Sequence, residues 1–138
     1  MKVNQLFVNL PVRHVAQAQA FYAALGAEVQ PAFTNEQAAC MKLNEQLFVM
    51  LLDHAFFGTF TPLPIADAHA STQMLLAIDQ GSRAEVDAFV QTACEAGATE
   101  PRPVQDLGFM YSRAFADLDG HIWEVFWMNA QTPPPQEH

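Results

Sequence analysis

Glu124 is a carboxylate in apolar company. It sits in Phe115-Ala-Asp-Leu-Asp-Gly-His-Ile-Trp-Glu-Val-Phe-Trp-Met128, where Asp117-Leu-Asp-Gly120 spells a turn, because Asp side chains bond nearby backbone N–H groups and Gly takes positive φ at no steric cost. β-Branched and aromatic residues then run on from His121, which predicts a strand covered on both faces. Its period of two puts Ile122, Glu124, Phe126 and Met128 on one side and His121, Trp123, Val125 and Trp127 on the other. Burying a lone charge there is costly. Glu124 is therefore expected to be solvated in a cavity, hydrogen-bonded, neutralised by protonation, or bound to a cation or ligand, unless an edge position lets it reach water. A carboxylate so placed can ligate a metal or take a proton from beside a carbonyl, which makes Glu124 the candidate catalytic residue.

Other reactive groups are sparse. Cys40 and Cys94 are too few for a disulfide framework, lack metal-ligand spacing and fall in segments that read as strand and helix interior, so both are expected to be reduced, buried thiols. With 138 residues the chain suits one compact domain or two small modules sharing a core. A formal charge of −9 with only 6 Lys and Arg offers no attraction to nucleic acid or an anionic membrane surface, so the expected partner is a small molecule. Asn4, Gln5, Asn9, Pro11 and Arg13 interrupt any apolar run near the N-terminus. Neither a signal-type segment nor a membrane span is expected there, and the cytoplasm is the default location.

The elements that must position Glu124 come in a repeated order. Leu6–Val12 reads as a strand, and Ala18, Phe21, Tyr22 and Leu25 recur at helical spacing before Gly26, which is placed for a left-handed cap. Glu28–Phe33, Ala38–Leu43 and Leu47–Leu52 read as three short strands. Residues 53–71, with two prolines, a glycine and Phe56, Phe57 and Phe60, read as a linker that either covers a binding site or anchors a crossover. The order then returns: Thr72–Ile78 as strand, Ser82 with Glu85 as a capping box, Val86, Phe89, Val90 and Ala93 as a helix stripe ending at Gly97, and strands near Ala98–Pro101, Gly108–Ala116 and His121–Met128. This predicts an α+β domain over 1–131 made of two βαβββ modules, 3–52 and 72–129, with 132–138 as a disordered tail.

Two stretches in this order resemble the vicinal oxygen chelate superfamily, which includes glyoxalase I, extradiol dioxygenases, fosfomycin-resistance enzymes and bleomycin-resistance proteins. Phe115-Ala-Asp-Leu-Asp-Gly-His-Ile-Trp-Glu124 looks like its closing motif, with Leu118 replacing a proline, and Ala20-Phe-Tyr-Ala-Ala-Leu-Gly26 looks like its first-helix signature. The resemblance implies eight strands in an incomplete barrel, a concave ligand cavity and helices outside. In metal-dependent members, the first and last strands of each half supply ligands at positions that correspond here to Phe7, Met50, Gln73 and Glu124. Phenylalanine has no donor atom and a thioether suits soft Cu(I), so no metal or other cofactor is expected; Gln73 and Glu124 are the only ligands to name if a divalent ion does bind. His54 cannot replace Met50, because four extended residues at roughly 3.3 Å place it about 13 Å away.

Strand parity puts Phe7, Asn9, Phe48, Met50, Leu52, Gln73, Leu75, Ile122, Glu124 and Phe126 on the cavity side, and of these Phe7, Asn9, Phe48, Met50, Gln73 and Glu124 are the expected ligand-binding side chains. Asn9 and Gln73 either meet a ligand or close a network with Glu124. Tyr111 and Arg113 share one strand face and join the set if it is the cavity face, where Arg113 could pair with Glu124; on the outer face they follow the surface. The leading expectation is a protein that binds a small, largely apolar or aromatic molecule without metal or chemistry, as a homodimer by analogy with such relatives. The alternatives are a divalent-metal lyase, isomerase or dioxygenase, and a metal-free enzyme using Glu124 as base with Asn9, Gln73 or Tyr111 facing an oxyanion.

Overall fold

The computed structural model describes residues 1–129, so the expectation for 132–138 lies outside the described residues. The chain divides into two compact units, Met1–Ser71 and Thr72 onward. Each is a βαβββ module built on an open four-stranded sheet, and the fold class is the expected α+β.

In the first unit, β1 (Leu6–Val12) leads through α1 (Val15–Ala24) to β2 (Glu28–Val29), β3 (Ala38–Lys42) and β4 (Leu47–Asp53). The sheet order is β1-β4-β3-β2, parallel only between β1 and β4. Val12, Val49, Leu51, Ala39 and Met41 share one sheet face and are buried, as are Val15, Ala18, Phe21 and Tyr22 of α1; this is the module's core. Tyr22 accepts twice at the end of α1, where Gly26 turns with φ 102° as its position predicted. One expected strand is mostly absent. Glu28–Phe33 is strand only over its first two residues: Gln30 N still donates to Cys40 O at 2.8 Å, but Pro31 starts a single 3-10 turn over Pro31–Phe33, and Cys40 N donates to Thr34 Oγ1 at 3.1 Å instead of to the strand. After β4, the linker holds a short helix, α2 (His54–Phe57), with Asp53 accepting from Phe56 N at 2.7 Å.

In the second unit, β5 (Leu76–Asp79), α3 (Arg83–Glu95), β6 (Gln105–Asp106), β7 (Met110–Ala116) and β8 (Ile122–Met128) repeat the plan in the order β5-β8-β7-β6. Ser82 Oγ caps α3 by accepting from Glu85 N at 3.1 Å, and Val86, Val90 and Ala93 are buried beneath it. Two strand expectations change. β5 starts four residues later than predicted, since Leu76 pairs with Trp123 in parallel register and anything before Leu75 would lie beyond the start of β8. Ala98–Pro101 supplies a single bridge, Thr99 with Ala116, and the edge strand forms later as β6. Among the described residues no helix is long and apolar enough to cross a membrane.

Candidate functional site

The closing turn is built as its sequence predicted. Asp117 Oδ1 accepts from Asp119 N and His121 N, both at 2.9 Å, which starts β8 at Ile122 and fixes the side on which Glu124 emerges. Its register neighbours are Ala77 on β5 and Ala114 on β7, so a row of two methyl groups flanks the carboxylate. Ile122 and Phe126 lie on the same face along the strand, both half-buried.

Glu124 is paired, and by a residue that sequence reasoning missed. Arg102 Nη2 donates to Glu124 Oε2 at 2.9 Å and to Ser112 Oγ at 2.8 Å, while Arg102 Nη1 donates to Pro103 O at 3.1 Å. Ser112, on β7 opposite Phe126, is buried. The pair is largely sheltered, with 25% and 28% of the Arg102 and Glu124 side chains exposed. Arg102 stands at a bend between Pro101 and Pro103, whose rings fix φ on both sides of it. That Pro-Arg-Pro run was the one local signal; nothing in it names a partner 22 residues away.

Tyr111 and Arg113 fall on the opposite face of the sheet from Glu124, the face that packs on α3. Arg113 is not the partner of Glu124. Its Nη1 donates to Asp87 Oδ1 at 3.0 Å and its Nη2 to Glu100 Oε1 at 2.7 Å, while Tyr111 Oη donates to the same Asp87 oxygen at 2.6 Å. Asp87 belongs to α3, so these bonds tie helix to sheet. The Tyr111 hydroxyl, then Arg113, hold the Asp87 carboxyl below the usual carboxylate range, and the same bond pushes the Tyr111 hydroxyl up. Gln73 lies before β5, exposed and outside the sheet, so its expected place as the strand counterpart of Phe7 is corrected.

The remaining predicted residues lie in the first unit. Phe7 stacks on its register partner Phe48, with ring centroids 4.5 Å apart and planes 10° from parallel; Phe7 is exposed and Phe48 buried. One rank along the same face, Asn9, Met50 and Cys40 are register partners on β1, β4 and β3. Cys40 is buried, and burial pushes its thiol up; Cys94 is only half-buried, short of the expected interior position, with its thiol raised by burial and then by Glu100.

The donor set does not suit the divalent ion that the resemblance implies for metal-dependent members. Glu124 is joined to a guanidinium that would repel a cation, its β5 neighbour Ala77 has no donor atom, Phe7 has none, and Met50 offers only a thioether. No group of three or more His, Cys, Asp or Glu among the described residues is placed to hold a metal ion.

This is the architecture of glyoxalase and bleomycin-resistance proteins. A hypothetical protein from S. aureus superposes with a TM-score of 0.77 at 21% identity, over 92% of this chain and 95% of that one. A glyoxalase/bleomycin resistance protein/dioxygenase family enzyme from Burkholderia phytofirmans gives 0.74 at 17% identity, over 88% and 96%. The fosfomycin resistance protein FosX from Mesorhizobium loti gives 0.69 at 14% identity, over 95% and 97%. The chain therefore has the fold of the vicinal oxygen chelate superfamily. No family model matches the sequence, and no curated protein matches it.

Proposed function

We propose that this glyoxalase/bleomycin-resistance-like protein binds a small, largely apolar or aromatic molecule against the sheet face that carries Glu124, without a metal ion. The Arg102–Glu124 pair is the observation that carries the reading, because a guanidinium at 2.9 Å already neutralises the carboxylate that would otherwise attract a cation. Around it the face is made of Ala77, Ala114, Ile122 and Phe126, an apolar wall with a few fixed polar groups, as small-molecule sites usually have. The reading includes a homodimer, by analogy with relatives that build sites at a dimer interface, the cytoplasm as the default location, and no nucleic-acid or membrane partner, given the charge of −9.

Elemental analysis of the purified protein, with thermal shifts on adding Zn²⁺, Ni²⁺, Mn²⁺ and Fe²⁺, tests it. The expected result is substoichiometric metal and no stabilisation. A metal bound one to one, or turnover of an α-ketoaldehyde hemithioacetal or a catechol that Glu124→Gln abolishes, would overturn the reading in favour of an enzyme. Sedimentation equilibrium checks the dimer independently.

A further inference from the structure

The hydrogen-bonding capacity left over at the Arg102–Glu124 pair limits what the ligand can be. Arg102 Nη2 spends its two N–H groups on Ser112 and Glu124, and Nη1 spends one on Pro103 O. One Nη1 N–H and the Nε N–H meet no acceptor among the described residues. On the carboxylate, Oε2 takes the bond from Arg102, and Oε1 accepts from no described group. Spare donor and spare acceptor capacity thus stand side by side on side chains that keep 25% and 28% of their surface exposed.

Charge in the pair is already balanced. An anion approaching Arg102 would meet the Glu124 carboxylate beside it, and a cation approaching Glu124 would meet the guanidinium, so a charged ligand gains at one partner what it loses at the other. A neutral group that gives one hydrogen and takes another gains from both, and each bond is charge-assisted. The row Ala77–Glu124–Ala114 has only methyl groups on either side of the carboxylate, which leaves a low strip over which a flat ring can lie.

Resting on the binding reading above, we infer that the ligand is an uncharged flat molecule whose edge carries an N–H donor next to a C=O acceptor, as in a lactam, imide or ureide ring. The N–H donates to Glu124 Oε1, and the C=O accepts from Arg102.

Four bicyclic probes of similar size, titrated by protein-observed NMR, test the inference: carbostyril, with both donor and acceptor; N-methylcarbostyril, with the acceptor alone; quinoline, with a ring nitrogen acceptor; and naphthoate, an anion. Carbostyril is expected to bind about tenfold or more tightly than each of the others, the scale of one hydrogen bond to a charged group. In R102M/E124L that preference should vanish while the bicyclic rings still bind. Equal affinity for carbostyril and its N-methyl derivative overturns the inference and leaves the binding reading standing. Tightest binding of naphthoate also overturns it, in favour of an anion site. Binding of no probe to protein shown folded by far-UV circular dichroism overturns the binding reading, and the inference with it. If R102M/E124L does not fold, the series on the natural protein decides alone.

Discussion

At the Arg102–Glu124 pair, stability and recognition draw on the same atoms. Removing the cation leaves a largely sheltered carboxylate without its partner, whereas neutralising the acid leaves an amide oxygen that still accepts from Arg102. R102M is therefore expected to cost about 1–2 kcal/mol, a hydrogen bond to a charged group discounted for partial exposure, and Glu124→Gln less than half of that. Urea melts of the two variants and of their combination check the order; equal losses would mean that charge rather than hydrogen bonding holds the pair. Glu124 was legible in the sequence because the Asp117–Gly120 turn sets where β8 begins and the period of two then sets its face. Arg102 was not. An irregular segment has no period to follow, and an ion pair spanning 22 residues leaves no mark on the residues around either end.

Helix ends and strand ends differ in how much of their cause is local. Both main helices end before a glycine with positive φ, Gly26 at 102° and Gly97 at 113°, and both were placed from sequence because a left-handed cap demands that residue type. Gly97 is held doubly: an added Cβ would lie 2.9 Å from Leu118 Cδ2, in the closing turn. The leucine tip can move but the backbone cannot, so Gly97→Ala is expected to cost about 1–3 kcal/mol, read from denaturant midpoints. Strand limits were read less well. β5 starts where β8 offers a partner, which is a property of the pairing and is invisible along the chain. The helix-to-sheet ties of α3 add a pH dependence. Asp87, held below the usual carboxylate range by Tyr111 and Arg113, contributes fully above its unfolded value of roughly 4 and loses the contribution as pH falls through its lower folded value. Tyr111, raised by the same bond, contributes below roughly pH 10 and loses the contribution as pH rises through its folded value. The stability gap between the natural protein and Asp87→Asn should therefore be widest near neutral pH and narrow toward pH 3, as checked by urea melts across that range; a gap independent of pH would show that the carboxylate's charge does not matter there.

Across the molecule, the order of elements was read more surely than any single boundary, since two βαβββ runs share a plan that neither composition nor identity has to preserve. The same composition bears on stability. Lys42, Arg83, Arg102 and Arg113 are joined to carboxylates at 2.6–3.0 Å, and 15 acidic groups stand against 6 basic ones. A net charge of −9 on a domain of this size repels itself over distances longer than any of those pairs. Added salt shortens the reach of that repulsion to about 8 Å at physiological ionic strength, while close, partly sheltered pairs are screened much less. Stability should therefore rise with salt. Between about 10 mM and 150 mM NaCl at neutral pH, where the Debye length falls from roughly 30 Å to 8 Å, a gain on the order of 1 kcal/mol would raise Tm by roughly 2–6 °C. Choline chloride in place of NaCl should give the same rise, because screening depends on ionic strength and not on a bound sodium ion. A Tm that falls with either salt would mean that the ion pairs, and not the acidic excess, dominate the electrostatics of the fold.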